Sequence, residues 1–362
     1  MKKLLYMSGA VVNAGDFLIE KRALALLHHL IPEASLTIAC RVGKDYTDQL
    51  EYLNSFDGII FAGGPIYQIS IYPNAIPFVS KSKLGNVTKP LFFIGGGIKS
   101  NVYFSKMNKD TFDFFKLGDL HGVPLGCRDV LSYRFLKHQG FDNVMMTGCP
   151  AWYCLRDVEK TEINKHANTR MKICVSEPAK VENIPILQRL IISLRNNYSD
   201  ADIVLIIHRE NKKELDLTIS KIQEKYDVRS VHIAGSAEGF SNYDDCDMHV
   251  GFRVHAHIYN LSVRNISFLI NEDIRGEGVN QTLGLESINI EKTIAHEKHL
   301  FGDYYISEYE NINDIANQTV IHVFDSIENT EKCSCKNYND AFSKMKQTYE
   351  VMKSHINIIG SY

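Results

Sequence analysis

Short apolar runs rich in valine, isoleucine, leucine and phenylalanine recur along the chain, with amphipathic helical stretches between them. This alternation is typical of β-α-β units around a buried parallel sheet, because strands covered on both faces are apolar throughout. In the first half, the pattern predicts strands at residues 3–7, 36–39, 58–62, 91–94 and 144–147. Helices are predicted between the strands, notably at residues 17–30 and 129–138.

A polar, charge-mixed stretch at residues 156–170 interrupts this alternation and predicts a domain boundary. Beyond it, strands are predicted at residues 171–175, 203–207, 231–234, 248–251 and 267–270. The second half therefore repeats the architecture of the first. We expect an N-terminal lobe at residues 1–158, on the acceptor side of any reaction, and a C-terminal lobe at residues 168–330, on the donor side.

Both halves are predicted to be Rossmann-like α/β lobes with doubly wound parallel sheets. Such sheets bind ligands at the carboxyl ends of their strands, so we expect a functional site in a cleft between the lobes. A basic helix is predicted at residues 337–356, with Phe342, Met345, Tyr349 and Met352 on one apolar face. We expect this helix to pack back on the lobes. Peripheral association with a membrane surface is the alternative.

The composition is that of a globular protein, since 44% of the 362 residues are hydrophobic and 23% are charged. The formal net charge of −3 gives no general attraction for nucleic acid, and no basic-aromatic run offers a stacking platform. We therefore expect no nucleic-acid partner. The N-terminal apolar stretch is interrupted by Ser8, Gly9 and Asn13, which makes it too short for a signal sequence or a membrane span.

The eight cysteines are scattered along the chain. Without a secretory signal they indicate reduced thiols and a cytoplasmic protein. Cys333 and Cys335 form the only close pair, and a structural zinc site needs a second pair. The sequence therefore predicts no metal site.

The loop after the first strand is the first candidate for ligand contact, and it leads from Ser8 to Asp16 at the start of a helix. Its glycines let a ligand approach the backbone, and a helix N-terminus favours anions. Asn13 and Asp16 are therefore candidate acceptor-binding residues, with Asp16 as a candidate base. The loop matches neither a Walker loop nor a dinucleotide fingerprint. A tight turn capped by Asp16 explains it equally well.

Two glycine clusters, Gly63-Gly64 and Gly95-Gly96-Gly97, each follow an apolar strand of the first half. Side by side at the carboxyl edge of one sheet, they would leave space for a ligand the size of a sugar. Gly63, Gly64, Gly96 and Gly97 are therefore predicted to line the acceptor site. Ordinary strand-ending turns are the alternative for each cluster alone.

Arg128 follows a further strand end, directly before a helix that Asp129 can cap. A fixed guanidinium suits a carboxylate or phosphate, because its planar fork donates two parallel hydrogen bonds. Arg128 is therefore a candidate catalytic residue. The alternative is an Arg-Asp pair that only stabilises the turn.

The run from Cys246 to Ile258 is predicted to pass from strand to helix, which places Arg253 and His255 in the first helical turn. There the backbone N–H groups and the helix dipole add to the cation in holding a phosphate. His255 also has the right chemistry for a proton donor. His257 lies two residues further round the helix, so we expect it to be a structural histidine.

Three further groups are weaker candidates. Arg275 follows the strand predicted at 267–270 and can complete an anion pocket, or it belongs to a solvated loop. The tripeptide His208-Arg209-Glu210 ends another strand and can line the same edge. Trp152 and Tyr153 can stack on a sugar, although packing is the usual role of aromatic residues at a domain boundary.

Four motifs in this order resemble the polysaccharide pyruvyl transferase family: Asn13-Ala14-Gly15-Asp16, Arg128-Asp129-Val130-Leu131-Ser132, Thr147-Gly148-Cys149-Pro150 and Arg253-Val254-His255-Ala256. The resemblance spans residues 13–285 and implies a two-lobed, GT-B-like fold. It implies that Arg253 and His255 engage the donor phosphate and that Arg128 is essential.

The sequence departs from the family pattern at three positions. Arg275 stands where the family usually has lysine, which keeps the charge but changes its geometry. Cys149 replaces the usual aspartate of the third motif. Glu177 stands where the first strand of the second lobe usually ends in arginine, and Lys180 is a candidate substitute in the donor site. These changes are consistent with a shifted acceptor specificity or a weakened donor site.

The resemblance implies transfer of the enolpyruvyl group of phosphoenolpyruvate to a sugar or a lipid-linked oligosaccharide, with no cofactor. Protonation of the donor methylene carbon by His255 would start the reaction, and Arg128, Arg253 and Arg275 would match the donor's carboxylate and phosphate. Two alternatives stay open. One is a GT-B glycosyltransferase that uses a nucleotide sugar, and the other is a catalytically silent glycan-binding protein.

Overall fold

The computed structural model describes residues 1–71, 78–98, 105–209, 213–290, 296–299, 302–305 and 312–362. Candidate residue Glu210 lies outside these ranges. The chain divides into two compact units. Unit 1 comprises Met1–Val11, Asp16–Leu155 and Met345–Tyr362, and unit 2 comprises Val12–Gly15 and Arg156–Lys344.

Unit 1 is built on a parallel sheet. Its strands are β1 (Lys3–Ser8), β2 (Ser35–Cys40), β3 (Gly58–Ala62) and β4 (Leu91–Ile94), in the spatial order β2-β1-β3-β4. A further parallel pair, β5 (Leu125–Cys127) and β6 (Val144–Met146), meets the end of β4 through a bridge between Gly96 and Cys127. The predicted strands match the observed ones to within one residue at each end. Strand order reverses between β1 and β3, so their carboxyl ends flank the position where such sheets bind ligands.

The helices of unit 1 are α1 (Ala14–Leu30), which begins in the unit 2 segment, α2 (Leu50–Asn54), α3 (Lys109–Leu120) and α4 (Val130–Gln139). The predicted cap of α4 is present, because Asp129 Oδ1 accepts a hydrogen bond from Ser132 N–H at 2.8 Å. The core is aromatic: Phe61 stacks on Phe93 with ring centroids 5.4 Å apart, and both rings are buried.

Unit 2 is built on a larger parallel sheet. Its strands are β7 (Lys172–Ser176), β8 (Asp202–Ile207), β9 (Arg229–His232), β10 (Met248–Gly251), β11 (Ile266–Asn271) and β12 (Ile288–Asn289), in the spatial order β12-β11-β10-β7-β8-β9. The chain leads outward from β7 to β9 and then returns to β10 on the other side of β7. The ends of β7 and β10 therefore flank the switch in strand order, where parallel sheets bind ligands. An antiparallel hairpin follows, formed by β13 (His296–His299) and β14 (Gly302–Tyr305).

Four of the five strands predicted for the second half match β7, β8, β10 and β11 to within one residue at each end. The strand predicted at 231–234 was placed two residues too late. β9 pairs with β8 from Arg229 opposite Val204 to His232 opposite Ile207, so the neighbouring strand sets its bounds. The helices of unit 2 are α5 (Ile184–Asn197), α6 (Lys213–Tyr226), α7 (Val254–Ser262), α8 (Ile274–Leu283) and α9 (Ile312–Lys332).

The last helix, α10 (Lys336–Ser361), is longer than predicted and contributes to both units. Its residues up to Lys344 belong to unit 2, and those from Met345 belong to unit 1. The four apolar residues that the sequence places on one face are all buried: Phe342, Met345, Tyr349 and Met352. This face is thus covered by the protein itself. Within the described part of the chain, no helix combines the length and apolar character needed to cross a membrane.

Candidate functional site

An open pocket lies at the carboxyl edge of the unit 2 sheet, beside the ends of β7 and β10. Its lining includes Asn13, His208, Arg253, His255, Glu272 and Arg275. We call it the unit 2 pocket. The structure thus brings together three of the predicted donor-binding residues, Arg253, His255 and Arg275. Asn13 joins them, although the sequence assigned it to acceptor binding.

Asn13 lines the unit 2 pocket because the short segment around it belongs to unit 2. Val12 O accepts a hydrogen bond from Gly235 N–H at 3.0 Å, and Asn13 Oδ1 accepts one from Gly15 N–H at 3.1 Å. Gly15 packs directly on His255, since a Cβ added to this glycine would lie 2.0 Å from the imidazole Nδ1. A larger residue at this position would therefore force the imidazole of His255 to move.

Arg253 lies two residues beyond the end of β10 and is the N-cap residue of α7. Its N–H donates to Ser176 Oγ at 3.1 Å, and its Nη2 donates to Glu177 Oε1 at 2.5 Å. Because Ser176 ends β7 and Glu177 follows it, both the main chain and the side chain of Arg253 are tied to the neighbouring strand. The first intrahelical hydrogen bond of α7 runs from His257 N–H to Arg253 O. As in any helix, the first-turn N–H groups lack partners inside the helix, which favours an anion there.

Glu177, a departure from the family pattern, is fully buried against Arg253. Its Oε1 also accepts a hydrogen bond from His208 N–H at 3.1 Å and lies 3.7 Å from Arg209 Nε. Burial raises the pKa of Glu177, while the positive charges of Arg253 and Arg209 act in the opposite direction. The carboxylate therefore offsets part of the positive charge of the unit 2 pocket.

Arg275 is the second residue of α8, whose N-cap is Asp273. Its guanidinium makes a two-point contact with that carboxylate, with Nε 2.9 Å from Oδ1 and Nη2 2.6 Å from Oδ2. A lysine cannot make this contact, because its ammonium is a single point of charge. The guanidinium of Arg275, where the family usually has lysine, is therefore held against the residue that caps its own helix, with 36% of the side chain exposed.

Glu272 connects the unit 2 pocket to the segment that contains Lys180. Its carboxylate accepts hydrogen bonds from Ala179 N–H at 2.7 Å, Lys180 N–H at 3.1 Å and Asn183 Nδ2 at 2.6 Å. These contacts fix the backbone of Lys180 beside the pocket, whereas the proposed contact of its side chain with the donor stays a prediction.

His208 and His257 differ in position from His255, because both are almost completely buried. His208 Nε2 lies 2.8 Å from the Tyr243 hydroxyl, and burial, followed by the charge of Arg253, lowers the pKa of His208 well below its usual value. Burial lowers the pKa of His257 to about 4, in agreement with its predicted structural role. Among the described residues, no group of three or more histidines, cysteines or carboxylates is arranged to hold a metal ion.

In unit 1, Arg128 follows β5 and is only 5% exposed. Its Nε donates to Asp129 Oδ2 at 2.8 Å, and its guanidinium lies against Gly97, where an added Cβ would be 2.3 Å from Cζ. Within the described ranges, Arg128 Nη2 has no hydrogen-bond partner. A buried guanidinium nitrogen in this state fits an oxygen of a carboxylate or phosphate.

Cys149, where the family usually has aspartate, is also buried in unit 1. Burial raises the pKa of its thiol to about 11, Arg128 lowers the value, and Asp129 and Asp16 raise it. The thiol is therefore neutral. An aspartate here would place a second carboxylate near Arg128, and this chain lacks that charge.

Arg41, the first residue after β2, was missed by sequence reasoning. A Cβ added to Gly9 would lie 2.5 Å from Arg41 Nη2. Burial lowers the pKa of Arg41 and the negative charge of Asp16, a predicted acceptor residue, acts in the opposite direction. The available signal was position, because Arg41 follows a strand end just as Arg128 does.

The predicted acceptor glycines lie at the ends of β3 and β4. Gly63 and Gly64 have φ values of 57° and 68°, in the left-handed region that favours glycine. Gly96 is packed against Ile66, whose Cδ1 would lie 2.4 Å from an added Cβ. Backbone geometry and packing thus require glycine here, and contact of these residues with an acceptor stays a prediction.

Trp152 and Tyr153 are each 1% exposed, so stacking on a sugar is wrong and the packing alternative is right. The Tyr153 hydroxyl donates to Thr147 O at 2.6 Å. The short helical turn Pro150–Trp152 directs the tryptophan into the core of unit 1.

Two solved structures illustrate what the fold is similar to. The S. aureus MnaA structure with UDP matches with a TM-score of 0.60 and 11% identity, over 99% of this chain and 95% of that chain. The UDP-GlcNAc 2-epimerase from Neisseria meningitidis bound to UDP-GlcNAc matches with a TM-score of 0.60 and 10% identity, over 100% of both chains. At this identity the likeness shows the fold alone. It is an α/β fold with two parallel sheets, GT-B-like.

Comparison with curated proteins gave no match. The family model for polysaccharide pyruvyl transferase matches residues 13–259, which is more than half of the 362 residues. The matched range contains Arg128, Arg253 and His255 and all four motifs named from the sequence. The chain therefore belongs to the polysaccharide pyruvyl transferase family.

Proposed function

We propose that this protein is an enzyme that transfers the enolpyruvyl group of phosphoenolpyruvate to two hydroxyls of a sugar, forming a pyruvate ketal and releasing phosphate. The observation that carries the proposal is the unit 2 pocket, where Arg253, His255 and Arg275 meet beside the first turn of α7. Membership of the family supports the reaction class. The proposed acceptor is a sugar of a polysaccharide or of its lipid-linked precursor.

The pocket chemistry suits a donor that carries a phosphate and a carboxylate. The N-terminus of α7 favours a phosphate through its dipole and its N–H groups, and Arg253 adds a cation at the same position. Glu177 and Asp273 hold the guanidinium groups of Arg253 and Arg275 in place. Donor groups fixed in advance need little reorganisation when charge develops on the ligand.

In the proposed reaction, His255 donates a proton to the methylene carbon of the donor, which becomes the methyl group of the ketal. The neighbouring carbon takes up positive charge, and a sugar hydroxyl attacks it. The bond from this carbon to the phosphate oxygen then breaks, and a second hydroxyl closes the ketal. One hydroxyl proton restores His255 and the other leaves with phosphate. Proton transfer by a positioned residue typically contributes about 10²- to 10⁴-fold.

Two residues of unit 1 have proposed roles in the same reaction. Asp16, whose negative charge acts on Arg41, is our candidate base for the acceptor hydroxyl. Arg128 is proposed to be essential, because its buried Nη2 is suited to an anionic oxygen.

The test is incubation of the purified protein with phosphoenolpyruvate and candidate glycans. We expect release of inorganic phosphate and a glycan mass increased by pyruvate less one water. Sugar transfer from a nucleotide sugar without phosphate release from phosphoenolpyruvate would favour the glycosyltransferase alternative, which the fold also accommodates. Glycan binding with neither reaction would show a catalytically silent protein.

A matched pair of arginine variants ties the reaction to the unit 2 pocket. Arg253→Ala is expected to lower kcat/KM for the donor about 100-fold or more, because a charge-assisted contact is lost. Arg189→Ala removes an exposed arginine from α5 and should leave kcat/KM unchanged. Equal effects of both variants would contradict the assignment of the donor site.

A further inference from the structure

Five buried polar residues form a continuous series of contacts in unit 2, starting at the residue that accepts the backbone N–H of Arg253. They are Ser176, His249, Ser267, His257 and Asn280, and each is at most 1% exposed. We call them the buried chain. Its members come from β7, β10, β11, α7 and α8, so it connects the elements that carry the unit 2 pocket.

The distances along the buried chain are those of good hydrogen bonds. Ser176 Oγ lies 3.0 Å from His249 Nε2, and His249 Nδ1 lies 2.7 Å from Ser267 Oγ. Ser267 Oγ lies 2.8 Å from His257 Nδ1, and His257 Nε2 lies 3.0 Å from Asn280 Oδ1. At the pocket end, the N–H of Arg253 donates to Ser176 Oγ at 3.1 Å.

The donor and the acceptor of each hydrogen bond in the buried chain can be assigned by starting from Asn280. Asn280 Nδ2 donates to Glu286 O at 2.9 Å, so its Oδ1 faces His257 and can only accept. His257 therefore carries its proton on Nε2. Its Nδ1 accepts from the Ser267 hydroxyl, because a neutral imidazole has one donor and one acceptor.

The same reasoning continues to the unit 2 pocket. The Ser267 hydroxyl donates its one proton to His257, so the Ser267 oxygen must accept a hydrogen bond from His249 Nδ1–H. His249 Nε2 then accepts from the Ser176 hydroxyl, whose oxygen accepts the N–H of Arg253. Burial lowers the pKa of His249 well below its usual value, which agrees with a neutral ring.

Packing around Ser176 leaves little freedom for a different arrangement. A Cβ added to Gly251, the last residue of β10, would lie 2.4 Å from Ser176 Oγ and 2.6 Å from Ser176 N. The close approach of β7 and β10 therefore holds the hydroxyl against the start of α7.

We propose that the buried chain positions the main chain of Arg253 for anion binding, with Ser176, His249 and Ser267 as positioning residues. One part of this proposal rests on the proposed function, namely that the bound anion is the phosphate of the donor. None of the three side chains needs to touch the ligand, because they act through the conformation at the first turn of α7.

The first test measures tautomers in the unaltered protein. Protein labelled with ¹⁵N-histidine is studied by long-range ¹H-¹⁵N NMR, with His249→Gln and His257→Gln used only to assign the signals. We expect a neutral His249 with its proton on Nδ1 and a neutral His257 with its proton on Nε2. The reverse tautomer or a charged ring at either position would overturn the directions derived above.

The second test measures anion binding to Ser267→Ala, with inorganic phosphate and phosphoenolpyruvate as probes. We expect both dissociation constants, and the KM for phosphoenolpyruvate, to rise about tenfold, because Ser267 Oγ loses its hydrogen bonds to His249 and His257, with kcat and the acceptor KM nearly unchanged. Ser267→Thr keeps the hydroxyl and should restore binding. Ser262→Ala, an equally buried serine outside the buried chain, should not affect it.

The outcomes separate this proposal from the proposed function. Phosphate binding that depends on Ser267, in a protein that does not turn over phosphoenolpyruvate, would sustain the positioning role and reject the reaction. Normal anion binding by folded Ser267→Ala would reject the positioning role and leave the reaction intact. Failure of the unaltered protein to bind either anion would reject both.

Discussion

At the scale of residues, the cations of the unit 2 pocket are held by carboxylates. Arg253 contacts Glu177, and Arg275 makes a two-point contact with Asp273. The sequence predicts both arginines, because each follows a strand. It does not predict the pairing of Arg253 with Glu177, since these residues are 76 positions apart and meet only when β7 lies beside β10. The pocket is therefore less positive than its basic residues alone suggest.

Glu177→Gln tests this balance of charge. The amide keeps an oxygen that accepts from Arg253 but removes a negative charge, so phosphate should bind about threefold more tightly or better at low ionic strength. Calorimetric titration with inorganic phosphate at two ionic strengths measures the change. Glu182→Gln, at an exposed carboxylate, is the control. Weaker binding by Glu177→Gln would mean that the carboxylate acts mainly by holding Arg253.

Gly15→Ala tests the position of His255. The added methyl group would meet the imidazole at 2.0 Å, so the ring must move. We expect kcat to fall about 100-fold, because a displaced proton donor loses most of its contribution. Alanine is favoured in helices, so the fold should not suffer.

Gly85→Ala is the control for Gly15→Ala, since an added Cβ there meets no atom within 4 Å. Steady-state kinetics with phosphoenolpyruvate, together with the unfolding midpoint, checks both variants. Full activity of Gly15→Ala would show that His255 is not the proton donor.

At the scale of elements, the strands could be predicted well because buried parallel strands leave long apolar runs. The sequence did not predict the bounds of β5, since Leu125-Gly126-Cys127 has only three residues, two of them small, and shows no strand pattern of apolar residues. β5 is a strand because its backbone pairs with β6 on one side and with Gly96 on the other.

The start of α1 also differs from the prediction. α1 begins at Ala14 rather than at the predicted Phe17, because Asn13 and Gly15 join the helix start to unit 2. Tertiary contacts of this kind cannot be predicted from local pattern.

His355, a residue of α10, makes the stability of the protein depend on pH. This residue is fully buried in unit 1, its Nε2 lies 2.8 Å from Pro124 O, and burial lowers its pKa from 6.5 to about 4. Between these values the unfolded chain binds the proton more readily than the folded one. The stabilisation is therefore complete above pH 6.5 and is lost as pH falls toward 4, by about 2 kcal/mol between pH 7 and pH 5.

Denaturant unfolding of the unaltered protein and of His355→Gln at pH 7, 6 and 5 checks this expectation. The free energy of unfolding of the unaltered protein should fall relative to that of the variant by about 2 kcal/mol from pH 7 to pH 5. His232→Gln, at an exposed histidine, keeps His355 and should follow the unaltered protein at all three pH values. A constant difference between His355→Gln and the unaltered protein would contradict a neutral, buried His355.

At the scale of the whole molecule, unit 1 is built from three separate stretches of chain and unit 2 from two. The alternation of strands and helices predicts two α/β units. It does not predict that the segment Val12–Gly15 belongs to unit 2 and Met345–Tyr362 to unit 1. Such assignments depend on packing between residues hundreds of positions apart, as in the hydrogen bond from Lys2 Nζ to Gly360 O at 2.7 Å.

Deletion of residues 345–362 is expected to unfold unit 1. It removes five buried apolar side chains, Met345, Tyr349, Met352, Ile356 and Ile359. At about 1.5–3 kcal/mol each, their loss costs about 8–15 kcal/mol, which is comparable to the total stability of a domain. Circular dichroism and soluble yield measure the outcome. Deletion of the exposed residues 361–362 alone should leave a folded protein, and a folded 1–344 fragment would contradict the assignment of this helix to unit 1.

The division of α10 between the units also has a consequence for biosynthesis. A ribosome makes the chain from the N-terminus, so every residue of unit 2 is present once Lys344 has emerged. Unit 1 must still wait for Met345–Tyr362, although most of it was made first. Vectorial synthesis therefore lets the later unit complete its core before the earlier one, and the side chains of unit 1 that pack against Met345–Tyr362 stay uncovered until this segment has emerged.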